Sequence, residues 1–232
     1  MNPADSETSP LGAIDGTRER TVMVACAALG KELREIIDHY GWEVDLRVIN
    51  ARLHNRPQLI TGAVAEKLAE TRGDYDRQVV VYGHCGASDL DALLKDTGAV
   101  RPLGPHCYEM FGGEEFVKLM EEEPGTFFLT DFLVKSWKNL VVEGLLLDRH
   151  PDLKEMLFGN YRRVAYLIQS EEEKLLARAK EIADWLGLPL ITRVVGYGHL
   201  ETRLAAIMDR QPQPVTSVTV GIDGQDAFPT LS

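Results

Sequence analysis

Short apolar runs rich in β-branched residues alternate with segments of helical period along most of this chain, and that alternation limits the fold more than any other feature. Residues 21–28, 42–49, 77–82, 125–129, 163–168 and 189–195 read as strands, with a short one expected near 99–103. Helical patterns lie between them at 31–40, 61–71 and 171–186, in a short segment capped by Ser88 or Asp89, in a stretch through Met120, and at 132–145 and 200–208. Strands that are apolar throughout are covered on both faces. A strand-then-helix order repeated along a chain argues an α/β fold: an open, mostly parallel sheet with helices on both faces, in Rossmann-like layers. One domain is expected over residues 21–210. A two-lobed arrangement of half-size layers is the alternative, although no linker separates two lobes.

Composition narrows the function. The net charge of −11 repels nucleic acid and anionic membrane surfaces. No run approaches the roughly 18 apolar residues of a membrane span. Residues 1–20, rich in Ser, Thr, Pro, Asp and Gly, lack the pattern of a signal peptide and read as a flexible arm. Residues 211–232 read as a tail. Its alternating segment, 216–220, suits an edge strand or an arm toward a partner subunit, so a homo-oligomer is compatible with the sequence. Three cysteines are an odd number, which argues against a disulfide framework and for a reducing cytoplasm.

The cysteines recur at one kind of address. Cys26 ends the first strand pattern, Cys85 follows the third in Gly83-His84-Cys85-Gly86, and Cys107 lies in the next loop, Pro105-His106-Cys107-Tyr108-Glu109. Ligands of open parallel sheets bind beyond the carboxyl ends of the strands, so folding is expected to bring the three thiols together. Three thiolates suit zinc with an open fourth position, or an iron–sulfur cluster with one open iron. The bland alternative is that each cysteine packs as a small buried hydrophobe.

Four histidines fall in similar loops. His84, His106 and His199 are expected as acid/base groups around the metal, and His54 as a substrate contact. Arg56, in Leu53-His54-Asn55-Arg56-Pro57, is placed to clamp an anionic group or to pair with a surface acid. Glu109 is taken as a further substrate contact. Asp131 reads first as the N-cap of the following helix, with contact to substrate as the rival role. There is no P-loop, no G-x-G-x-x-G after the first strand, no nucleophile elbow and no H-E-x-x-H.

Several blocks together resemble a bacterial and archaeal family known as domain of unknown function 1638. They are Ala25-Cys26-Ala27-Ala28-Leu29, the two cysteine loops with Tyr82, Leu53 to Pro57, Gly125-Thr126-Phe127-Phe128-Leu129-Thr130-Asp131 and Phe158-Gly159-Asn160-Tyr161-Arg162. The resemblance implies that the cysteine loops are signature blocks, but it brings no established activity or catalytic role.

The expectation is thus a metalloprotein, and an enzyme if the metal has an open position, acting on a small polar or anionic substrate. Cys26, Cys85 and Cys107 would hold zinc or an iron–sulfur cluster. The alternatives are a metal-free small-molecule binding domain, a thiol-reactive domain in which His84 lowers the Cys85 pKa, or a scaffold.

Overall fold

A computed structural model describes residues 19–87 and 89–209. Ser88, the 211–232 tail and nearly all of the N-terminal arm lie outside the described residues.

The first half contains β1 (Thr21–Cys26), α1 (Gly30–Tyr40), β2 (Val44–Ile49), α2 (Ile60–Glu70), β3 (Arg77–Val81) and α3 (Leu90–Thr97). α4 (Cys107–Glu122) leads into the second half, with β4 (Thr126–Leu129), α5 (Asp131–Trp137), α6 (Leu153–Phe158), β5 (Arg163–Ile168), α7 (Glu173–Leu186), β6 (Leu190–Val194) and α8 (Gly198–Met208). The fold is α/β with parallel strands and helices, as the alternation requires. The strands divide into two three-stranded parallel sheets, ordered β2-β1-β3 and β4-β5-β6. The segment expected as a strand near 99–103 forms only a single parallel bridge, Val100 to Val79. Pro102 lacks a donor for the ladder, and Gly104-Pro105 turns the chain away.

β1 is the central strand of the first sheet. Val22, Met23, Val24 and Ala25 are fully buried. The period-two alternation of a strand sends neighbours to opposite faces. Met23 and Ala25 join Leu33, Ile36, Phe111, Leu200 and Leu204, whereas Val24 joins Ile60, Val64 and Leu90 on the other side. In the second sheet Val164 and Tyr166 pack with Trp137, Ala179 and Ile182, and Ala165 and Leu167 pack with Leu119.

α4 links the halves. Met110 and Phe111 belong to the first core, and Leu119 belongs to the second. Between them the helix breaks at Gly113, whose φ of 51° lies in the left-handed region. A Cβ there would meet the His199 ring at 2.8 Å, so the kink and the close approach of α8 both require glycine.

α1 meets the second half along a polar seam. Lys31 Nζ donates to Ser170 Oγ at 3.4 Å, and the Tyr197 hydroxyl donates to Glu35 Oε2 at 2.6 Å. Glu32, 2% exposed, points a carboxyl into this seam, and its Oε2 has no hydrogen-bond partner. Burial pushes the Glu32 carboxyl above its usual range, and the neighbouring Asp131 adds to the effect.

Candidate functional site

The carboxyl ends of β1 and β3 face the second half across a cavity of about 280 Å³. β2 and β3 flank β1 on opposite sides, so β1 is where the chain reverses its direction of sheet growth and where an open α/β sheet offers a crevice. Cys26, Tyr82, Cys85 and Cys107 line the inner part, which belongs to the first half. Phe127, Phe132, Leu133, Leu145, Phe158 and Tyr161 line the opposite wall, from the second half. Among the described residues, no Asp, Glu, Lys or Arg lines this cavity.

Two backbone features build the cysteine wall. The loop after β3 is zipped to the loop before α4, with His84 N–H donating to Gly104 O at 3.2 Å and Cys85 N–H to Pro105 O at 2.9 Å. A Cβ at Gly83 would lie 2.6 Å from the His106 Cα, so only glycine lets the two loops touch. Cys85 itself adopts φ 44°, a left-handed conformation rare outside glycine, asparagine and aspartate.

The three cysteines therefore line one cavity, as the sequence suggests, but the metalloenzyme reading fails. Among the described residues, no group of three or more His, Cys, Asp or Glu side chains is arranged to hold a metal ion. All three thiols are free. Burial raises the Cys26 and Cys107 thiols, and burial followed by the neighbouring Cys26 pushes Cys85 up to about 11. The expected activation of Cys85 by His84 is overridden by desolvation. The helix beginning at Cys107 also breaks at Gly113, which limits the dipole it offers.

The other expected site residues separate. His54 lines the cavity at an exposed position on its rim, and desolvation by surrounding protein lowers its pKa. His106 is the N-cap of α4: its Nδ1 accepts from Glu109 N–H at 3.4 Å, and its ring meets Phe116 edge-on at 4.9 Å. Desolvation lowers its pKa and keeps the ring neutral for that role. His84 and Arg56 do not line the cavity, and Arg56 is exposed. His199 follows β6 of the other sheet and does not line the cavity. It joins Glu109 and Arg203 in a cluster that ties α4 to α8. Arg203 grips both Glu109 carboxylate oxygens, at 2.6 and 2.7 Å, and His199 Nδ1 lies 3.3 Å from Oε1. Burial would raise the Glu109 carboxyl, but the Arg203 and His199 hydrogen bonds outweigh it and the net shift is downward.

Asp131 is neither cap nor cavity residue. Thr130 is the N-cap of α5, its hydroxyl accepting from Leu133 N–H at 3.3 Å. Asp131, one residue on and 0% exposed, accepts from the Tyr166 hydroxyl at 2.7 Å and from the Ser170 N–H and hydroxyl at 2.9 and 2.5 Å. It pins the end of β4 to the end of β5.

Sequence reasoning missed the phenols. Tyr82 is 1% exposed, and its hydroxyl, close to the Cys26 thiol, has no partner in hydrogen-bond geometry. Tyr108 and Tyr161 also line the cavity. All three lie inside or beside the conspicuous sequence blocks, but the histidines and cysteines there carry stronger chemical associations.

Two parallel three-stranded sheets covered by helices, with a cavity at strand carboxyl ends, define an α/β protein. The chain belongs to the family described as protein of unknown function (DUF1638), whose model matches residues 48–204. No curated protein matches it.

Proposed function

We propose that this chain is a small-molecule binding domain whose ligand is uncharged, largely apolar and seated between the two halves. The observation that carries this reading is the cavity of about 280 Å³, bordered mainly by thiols, phenols, aromatic and aliphatic side chains, with His54, Asn55 and Thr130 as its other polar residues. A charged ligand would lose its hydration there without a countercharge among the described lining residues, a cost of several kcal/mol or more. The small polar or anionic substrate expected from Arg56 does not suit such a wall. Pockets of this make-up, mostly apolar with a few polar groups, are the usual form of small-molecule sites. The unpaired thiols suit a reducing compartment.

The test is titration with N-phenyl-1-naphthylamine, an uncharged dye that brightens in apolar surroundings. One saturable site per chain is expected. Ala28→Phe, which places a ring in the cavity from a partly buried position, should abolish that site without loss of the cooperative unfolding transition. Equal dye binding by wild type and Ala28→Phe, or no binding to wild type, would remove the proposal.

A further inference from the structure

The inner end of the cavity has an excess of hydrogen-bond donors, and what that implies about the ligand rests on the cavity being a ligand site. Tyr82 is 1% exposed and its hydroxyl is unpartnered. A phenol donates more strongly than it accepts, so the unmet need is for an acceptor. The groups beside it do not supply one. Thiol sulfur is a weak acceptor, and the sulfur beside the Tyr82 hydroxyl, that of Cys26, is not in good hydrogen-bond geometry with it. The Tyr82 carbonyl, which could have met a ligand donor, takes Arg101 Nη1 at 3.4 Å. A ligand donor would therefore find little to bond, whereas an acceptor oxygen would compete for the Tyr82 O–H only with the weak Cys26 sulfur.

We propose that the ligand carries one neutral carbonyl-type oxygen at its inner end, accepting a hydrogen bond from the Tyr82 hydroxyl among the thiols of Cys26, Cys85 and Cys107. Its apolar body lies against the wall formed by Phe127, Phe132, Leu133 and Phe158. A carboxylate is a worse match, because its full charge would be buried opposite a wall whose described residues carry none. Tyr82 is thus a specificity determinant, holding an otherwise costly hydroxyl in reserve for one oxygen.

Three compounds of nearly one shape isolate this claim: 2-acetylnaphthalene, 2-isopropenylnaphthalene, in which CH2 replaces the oxygen, and 2-naphthoate. Each competes with N-phenyl-1-naphthylamine on wild type and on Tyr82→Phe, whose unfolding transition is recorded alongside. On wild type the ketone is expected to bind about fivefold to tenfold more tightly than the alkene, the size of one net hydrogen bond, and more tightly than the carboxylate. In Tyr82→Phe the ketone's advantage over the alkene falls to within about twofold, while the alkene keeps its affinity. Equal affinities of ketone and alkene on wild type, a ketone preference that survives Tyr82→Phe, or tightest binding by naphthoate would overturn the assignment. The wild-type comparison decides the matter alone if Tyr82→Phe does not fold. Failure of the dye to bind wild type removes the cavity reading itself, whereas dye binding with no ketone preference removes only the carbonyl.

Discussion

Replacing Tyr82 by Phe should make the free protein more stable, an unusual sign for a substitution at a fully buried position. The hydroxyl is buried in a residue 1% exposed and makes no hydrogen bond. A buried polar group left unsatisfied costs about 1–3 kcal/mol. Removing the oxygen recovers part of that cost and loses a few van der Waals contacts of about 0.1–0.2 kcal/mol each. The expected net gain is about 1 kcal/mol, equivalent to a rise in Tm of about 2–4 °C for a chain of this length. Urea denaturation of ligand-free protein measures it, as a higher midpoint with unchanged m-value. A typical buried hydroxyl, satisfied in the folded state, predicts the reverse: a loss of about 1 kcal/mol or more. A midpoint lowered by that amount would refute the claim that Tyr82 stands unpartnered, and with it the reason for assigning it to a ligand.

Glu32→Gln should also stabilise, and only above acidic pH. The folded carboxyl is raised above its unfolded value, so its favourable contribution is complete below about pH 4.3 and is lost as pH rises through the folded pKa. The variant should match wild type near pH 4 and exceed it by about 1 kcal/mol at pH 8, measured by denaturation at both; a pH-independent difference would contradict this. Asp131→Ala removes the acceptor of several buried bonds at the ends of β4 and β5 and should cost at least about 3 kcal/mol in the same assay. Arg203→Ala should lower Tm yet leave dye affinity within about twofold, because the Glu109–Arg203–His199 cluster joins helices and does not line the cavity. Alkylation of Cys85 by iodoacetamide should keep accelerating up to pH 10, since its thiol lies at about 11; a plateau near pH 7 would reveal an activated thiolate instead.

The elements were legible where local pattern and burial agree. β5 occupies Arg163–Ile168, as its apolar run predicts, because Val164 to Ile168 are all buried. α1 and α7 stop at Gly41 and Gly187, the residues that punctuate their apolar periods. The expected helix over 132–145 shortens to α5, followed by a π-helical turn at Lys138–Val142, and α6 was not read at all. Six residues carry too little period to register. Division into two sheets depends on pairing between distant strands, which no local pattern encodes. The gathering of Cys26, Cys85 and Cys107 at one cavity could be read, because strand ends share an edge. Their chemistry could not, because burial turns three potential ligands into neutral thiols. Asp131 was misread by one residue: the Thr130 hydroxyl took the cap, which freed the carboxylate to join two strand ends.

A crystal of this protein soaked with 2-acetylnaphthalene tests the central claim most directly. The account predicts the rings between Phe127 and the cysteine wall, with the ketone oxygen about 2.6–3.0 Å from the Tyr82 hydroxyl. An empty cavity with the compound elsewhere, for example on the exposed Leu103 or Met156, would contradict it.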